Sequence, residues 1–402
     1  MRGELDALLQ AAEDAAPIES VDVVARILER RFGADEVSFL FLDVVGQGVV
    51  RLPRAGTPRQ ARGTARRMRL PGSRYERVLR TQELLQEEER AGEDEGGRRY
   101  RLVAPVTNRG DCVGLLELVV PHVDDAVRDA VAQAAHALAY VVVTDRRFTD
   151  LYHWGGRTSG MSLAAEIQHQ LLPTAATCEA AQFTLACGLA PANDVGGDTY
   201  DYSLDQGSLH LSITDAMGHD TASALLATLT VNALRQSRRA EGDVLAQACA
   251  AHDALAEHAR GMTTGQLFDV ALDTGECRIV NAGHPWPLLL RDGRVEEVPL
   301  KVNLPFGVPA PVEYEVQPFR FQSGDRLVLL TDGMRERESA DVDLPGILLV
   351  TADEHPREAV RALIDAVHDV CSEGLPDDAT VMVLDWRGSR SGRRDSDAGA
   401  DI

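Results

Sequence analysis

The sequence predicts an α+β first domain with an antiparallel sheet, followed by a second domain of alternating strands and helices that reads as α/β, on three observations. Helical spacing over residues 21–28 is followed by strand-like runs and then by a helical stretch from Asp124 to about Val143, the order of an α+β domain. Two turn signals, Asn108-Arg109-Gly110-Asp111 and Asp205-Gln206-Gly207, each join neighbouring strand-like runs. Residues 181–386 alternate short apolar runs with helical stripes.

The elements follow in order. Val21, Val24, Ile27 and Leu28 recur at helical spacing, and Arg30-Arg31-Phe32-Gly33 supplies a basic last turn and a glycine stop. Strands are expected over residues 36–42, 49–52, 100–106 and 112–120. Between them, residues 51–69 are Arg-rich and residues 86–95 acidic; they read as solvated loops of opposite charge, with a ligand or partner lid as the alternative. Past the long helix, Gly155-Gly156 and Gly160 interrupt helical structure. Ser162 then caps a helix whose stripe, Leu163, Ile167 and Leu171, packs on its own domain or on a second subunit. The expected parts are a domain at 1–145, a helical connector at 146–173, a second domain at 174–386 and a disordered Gly/Ser/Arg/Asp-rich tail at 387–402.

Composition narrows the function. The chain has 402 residues, 44% of them hydrophobic, enough for more than one core. A formal net charge of -22 argues against nucleic acid as the main partner, because duplex binding needs clustered cations. The six cysteines are scattered without CxxC pairs, which suits reduced thiols in the cytosol. No signal peptide opens the sequence and no apolar stretch reaches the roughly 18–20 residues that span a bilayer, so a cytoplasmic protein without membrane contact is expected.

The chemistry is read from four aspartates, Asp198, Asp215, Asp332 and Asp377, each at or beside the end of a strand-like run. If Gln206-Gly207 is a two-residue loop, Asp205 pairs with Ser208, and counting outward sets Asp198 opposite Asp215. Asp332 follows the strand 325–331 and Asp377 precedes the strand 380–384. If those strands are antiparallel neighbours, both carboxylates lie at one edge. Asp-Gly and Asp-Asp are also ordinary turn pairs, and the metal reading rests on all four together. Gathered carboxylates repel unless cations hold them, and oxygen-only ligands suit Mg²⁺ or Mn²⁺ rather than zinc. Two such ions can activate a water and neutralise a phosphoryl group, so no Ser or Cys nucleophile motif is needed, and none is present. Gly218 lets the loop after Asp215 approach metal and substrate closely. In Asn281-Ala282-Gly283-His284-Pro285, His284 is either a proton donor to the leaving oxygen or part of an exposed turn; His219 leans to the structural role.

These motifs, with Glu166-Ile167-Gln168 through Leu171-Leu172-Pro173, Val195-Gly196-Gly197-Asp198-Thr199-Tyr200-Asp201, Asp215-Ala216-Met217-Gly218-His219, Leu304-Pro305-Phe306-Gly307, Leu330-Thr331-Asp332-Gly333 and Asp377-Asp378-Ala379-Thr380, occur in one order. Together they resemble the bacterial SpoIIE/RsbU-type branch of the metal-dependent protein phosphatase (PPM) family. The resemblance implies an αββα sandwich of two antiparallel sheets flanked by helices. It implies hydrolysis of phosphoserine or phosphothreonine through a two-metal hydroxide mechanism, on a phosphorylated STAS-domain anti-anti-sigma factor. Carried over, Asp198 and Asp215 bridge the ions, the Ala216 carbonyl binds one, Asp332 and Asp377 complete the shell, and Asp378 is the second choice beside Asp377. Asp220, Ala216 and Thr199 depart from the family pattern, and Asp220 either adds a ligand or caps the next helix. The first domain resembles a GAF sensor, with PAS as its rival, and the connector would form a homodimeric helix pair. The competing functions are a catalytically silent partner-binding scaffold of the same fold and a hydrolase of small phosphoesters.

Overall fold

The computed structural model describes residues 2–42, 48–51, 67–90, 98–152, 162–192, 196–218, 221–258, 261–335, 342–371, 375 and 377–389. Val195, His219, Asp220, the Gly155-Gly156 and Gly160 break and most of the tail lie outside them, as do parts of the two charged stretches. The chain divides into two compact units, Met1–Gly160 and Met161–Asp395.

In the first unit, α1 (Arg2–Glu13) and α2 (Ser20–Phe32) lead into β1 (Ser38–Leu42), β2 (Gly48–Arg51), β3 (Arg67–Arg69), α3 (Arg74–Thr81), β4 (Leu85–Arg90), β5 (Arg98–Asn108), β6 (Asp111–Val120) and α4 (Asp125–Asp145). The strands form one six-stranded antiparallel sheet in the order β3-β2-β1-β6-β5-β4. Side chains alternate across a strand, so each face has its own core. Phe39, Phe41, Leu102, Ala104, Leu116 and Leu118 join the cluster built with α1, α2 and α4. Leu40, Val49, Val103 and Leu115 pack with Tyr75, Val78 and Leu79 of α3. The β5–β6 hairpin closes as the sequence indicates: Asn108 faces Asp111, and Arg109 and Gly110 take φ of 50° and 81°, the positive values a tight two-residue loop needs.

Four parts of this unit differ from the sequence expectation: α1, β4, the helix α3, which was not expected, and β3, which falls at the end of the Arg-rich stretch expected to be loop. The N-terminal helix α1 was not foreseen. The acidic stretch begins as a strand, β4, rather than a loop, because an Arg-rich strand lies beside it: Glu87 faces Arg101 and Glu89 faces Arg99, with Arg101 bonded to Glu89. Opposite charges across a pair support strand pairing that three consecutive glutamates alone would not suggest. On the same sheet, buried Glu117 accepts from Arg51 (2.7 Å), Arg101 (2.8 Å) and the Tyr75 hydroxyl (3.0 Å). Burial, then the Glu117 charge, pushes the Tyr75 phenol up to about 12.

The second unit runs α5 (Leu163–Leu171), β7 (Thr177–Glu179), β8 (Phe183–Ala190), β9 (Asp198–Leu204), β10 (Ser208–Ala216), α6 (Thr221–Arg239), α7 (Val244–His258), β11 (Thr263–Ala271), β12 (Glu276–Ala282), β13 (Leu288–Arg291), β14 (Arg294–Glu297), β15 (Gln317–Arg320), β16 (Asp325–Leu330), α8 (Leu344–Val350), α9 (Pro356–Val370) and β17 (Ala379–Trp386). Two antiparallel sheets result, β15-β12-β11-β10-β9 and β14-β13-β16-β17-β8-β7. Leu185, Leu209, Leu211, Ile213, Phe268, Leu329, Met382 and Leu384 form the core between them. The alternate residues face outward onto helices. Leu267, Val280 and Ala282 meet α6 and α7, whereas Val328, Val381 and Val383 meet α8 and α9. The layering is helix, sheet, sheet, helix.

Ser162 caps α5 by accepting from the Ala165 amide (3.1 Å). Of the expected stripe, Leu171 and Ile167 pack with α6 and α7, while Leu163 is 65% exposed. Arg235 fastens three elements at once. It holds Asp201 of β9 through two nitrogens (2.8 and 3.2 Å) and donates to the Leu171 carbonyl at the end of α5 (2.6 Å).

Candidate metal centre

The β9–β10 hairpin adopts the predicted register. The Asp205 amide bonds to the Ser208 carbonyl (2.9 Å), Leu204 faces Leu209, and the ladder ends with Asp198 directly opposite Asp215. Opposed residues share a face of the sheet. Asp198 is buried and Asp215 half-buried. Thr199, at a position where the resemblance leads one to expect an aromatic residue, instead pairs its hydroxyl with that of Thr214 opposite it (2.6 Å).

The second pair comes from the other sheet. β16 and β17 are antiparallel neighbours, with Leu330 facing Val381 and the Thr331 amide bonded to the Thr380 carbonyl (3.1 Å). Asp332 opens a short 3-10 turn just after β16, and Asp377 and Asp378 stand just before β17, so all three lie at one strand end. Thr331 and Thr380 reach across to the first sheet: each hydroxyl donates to Asp198 Oδ2 at 2.7 Å, and the Thr380 amide donates to Thr331 Oγ1 (3.0 Å).

Asp378 has both carboxylate oxygens engaged within the fold. Its Oδ1 accepts from the Ala192 amide (2.8 Å), and its Oδ2 accepts from Gln168 Nε2 of α5 (2.5 Å) and the Gly197 amide (3.3 Å). Gln168 also donates to the Asp198 carbonyl (2.8 Å). Burial, and then the charges of Asp215 and Asp378, push the Asp198 carboxyl well above the usual carboxylate range, against the pull of its two threonine donors. Burial likewise raises Asp378, with the bonds from Ala192 and Gln168 opposing it.

An oxygen donor set of this kind suits Mg²⁺ or Mn²⁺. Oxygens converge beside Gly197: a Cβ there would lie 2.7 Å from the Ala216 carbonyl, 3.5 Å from the Gly218 carbonyl and 3.6 Å from Asp215 Oδ1. Only glycine leaves that space open. The fit extends to the opposed pair and these carbonyls. Among the described residues, no group of three or more His, Cys, Asp or Glu side chains is gathered to hold an ion. The reason is local: Asp332 is exposed on its turn, and Asp377 Oδ1 turns back to accept from the Asp378 amide (2.8 Å). The structure therefore sets Asp198 opposite Asp215, ties Asp378 to the Asp198 backbone through Gln168, and brings Asp332 and Asp377 to the same edge without closing the quartet.

The Asn281–His284 turn is buried, not exposed. Asn281 braces it from both ends, donating to the His284 carbonyl (3.0 Å) and accepting from the His284 amide (2.8 Å). His284 Nδ1 meets the hydroxyl of Thr264 (2.9 Å), and Thr264 faces Asp215 across β10 and β11. Burial lowers the imidazole from 6.5 to about 3, with a smaller opposing pull from the Leu330 backbone. The expected exposed turn is therefore corrected to a buried, braced one, and the ring is held largely neutral there. Its effect on stability has a definite sign. Below pH 6.5 the unfolded ring takes up a proton that the folded ring refuses until about pH 3. Stability is thus full above 6.5 and falls as pH drops, by up to about 1.4 kcal/mol per unit from this group. In urea denaturation at about pH 7 and 5, His284→Gln should flatten the loss seen in the native protein. Identical slopes in the two proteins would refute this assignment.

Gln168, Thr331 and Thr380 are the site residues whose roles the sequence did not disclose. The two threonines flank the aspartate motifs, and a hydroxyl at a strand end beside a carboxylate was the available signal.

Residues 205–387 match the family model for Stage II sporulation protein E (SpoIIE), a span that includes Asp215, Asp332 and Asp377 and begins after Asp198. The match, over less than half of the chain, marks the segment as a serine/threonine protein phosphatase domain. Within that class, the particular family matched by this segment is SpoIIE. No curated protein matches the chain. Among solved structures, the RsbU and RsbW domains of a Mycobacterium tuberculosis protein are similar at 22% identity and a TM-score of 0.47, covering 54% of this chain and 63% of that one. The phosphatase domain and a regulatory fragment of Bacillus subtilis SpoIIE are similar at 15% identity and 0.45, covering 77% and 83%. The SiaA PP2C domain of Pseudomonas aeruginosa is similar at 19% and 0.47, covering 56% and 93%. All three are too remote to transfer a function.

Proposed function

We propose that the second unit removes phosphate from phosphoserine or phosphothreonine in a STAS-type anti-anti-sigma factor, with two Mn²⁺ or Mg²⁺ ions, under control of a GAF-like sensor in residues 1–145. The observation that carries the reading is the Asp198–Asp215 register at the edge where Asp332 and Asp377 also lie. Asp198, Asp215, Asp332, Asp377 and the Ala216 carbonyl would hold the ions. When bound, the ions would supply positive charge for the phosphoryl oxygens and an activated water. The chain's own groups do the rest. Thr331 and Thr380 fix Asp198 through Oδ2, Asp378 fixes the loop before β9, and Gly197 keeps the approach clear.

The sensor reading is supported by a six-stranded antiparallel sheet with helices on both faces. Control is supported by α5: Gln168 binds both the Asp198 carbonyl and Asp378, so a shift of that helix would reach the carboxylates. A homodimer through the connector is part of the same proposal.

The test is phosphate release from a phosphorylated STAS-domain protein. Release with manganese and none after chelation is the expected result. If protein, peptide and small phosphoesters all stay intact with manganese present, the scaffold function replaces this one.

A further inference from the structure

The edge that bears the carboxylates also bears uncovered apolar side chains: Met217 is 56% exposed, Val302 53%, Leu304 48% and Trp286 38%. Backbone bonds set their loops side by side. Met217 bonds to Met262 (3.0 Å), and Thr263 and Phe306 exchange two bonds (3.1 and 2.9 Å). Trp286 Nε1 donates to the Leu300 carbonyl (2.8 Å). Asn303 turns its amide to the Asn281 carbonyl (2.9 Å), and its neighbours Val302 and Leu304 face outward. An apolar rim beside a polar site marks an interaction surface.

Its border is acidic. Glu296, Glu297, Glu313 and Glu315 are exposed there. Two of the cations near them are engaged, Arg335 with Glu297 (2.9 Å) and Lys301 with Glu315. A second copy of this chain fits poorly, since a two-fold contact would set the same acidic border against itself.

We propose that this rim docks the protein substrate: a folded phosphoprotein whose phosphorylated residue stands among apolar side chains bordered by basic ones. The proposal rests on the phosphatase reading above and adds the surface that selects its substrate. Substrate contact would cover the rim while the phosphate reaches the carboxylate edge.

The experiment compares two substrates, a phosphorylated STAS-domain protein and p-nitrophenyl phosphate. Replacing Val302→Ser and Leu304→Ser together should raise KM for the phosphoprotein by about tenfold or more and leave the small substrate untouched. An unchanged KM for the phosphoprotein overturns the proposal. So does a native enzyme that cleaves the folded phosphoprotein no better than its unfolded phosphopeptide. If the double variant loses both activities, the exposed Glu313→Lys decides: a raised KM for the phosphoprotein alone supports docking, and no change overturns it. Lys301, the only lysine in the chain, gives a readout without turnover. The phosphoprotein should shield it from acylation in Asp215→Asn protein. Shielding that instead follows the enzyme's own concentration assigns the rim to self-association and overturns the proposal. Failure of the native enzyme on both substrates strikes the phosphatase reading itself.

Discussion

Asp215→Asn should abolish manganese-dependent phosphate release while leaving the metal-free protein as stable as before, or more so. The first half follows from position. Asp215 faces Asp198 across the hairpin and shares its approach with the Ala216 and Gly218 carbonyls. Loss of outer partners around a metal commonly costs about 10–100-fold, and a direct ligand should cost more than about a hundredfold. The second half follows from charge. Asp215 is one of the groups that raise the Asp198 carboxyl. A carboxylate raised in the folded state contributes stability at low pH and loses it as pH climbs toward the folded value. Removing the Asp215 charge relieves that loss near neutrality, by on the order of 1 kcal/mol. Thermal melts with chelator and phosphate release with manganese read the two halves separately. A variant that melts well below the native protein would show that Asp215 holds the fold, and retained turnover would remove it from the metal centre.

Asp378→Ala should act in the opposite sense, costing stability first. The carboxylate satisfies the Ala192 amide, the Gly197 amide and the Gln168 side chain, all in a buried setting. Truncation leaves those donors without acceptors, at about 3–5 kcal/mol. Asp378→Asn should cost less, because one oxygen remains for Ala192 while its amide opposes that of Gln168. Denaturant midpoints measure both. A loss under about 1 kcal/mol for the alanine variant would mean that water or a shifted loop replaces the anchor.

The part of the site that was legible is the part governed by short-range rules. The loop Gln206-Gly207 sets the hairpin count, and strand period then carries Asp198 to Asp215. The strand ends at Asp332 and Asp377 were legible for the same reason. What escaped depends on groups far apart in the chain. Gln168 meets Asp378 across 210 positions, and nothing local announces it. β4 needed the Arg-rich strand beside it before three glutamates could read as sheet. His284 lies among Gly and Pro, a composition typical of exposed turns, and only the Asn281 brace turns it inward. The sandwich itself came from the resemblance, while period-2 alternation explains why each sheet could be coated on both sides.

The two threonine hydroxyls on Asp198 Oδ2 carry a consequence for motion. They sew the open end of one sheet to the other, where a sandwich would otherwise breathe most freely. Any parting of the layers there must release Asp198 Oδ2 from both of its threonine donors. On the proposed function, opening of the sandwich mouth would free Asp198 and so loosen the metal site before the fold itself is lost.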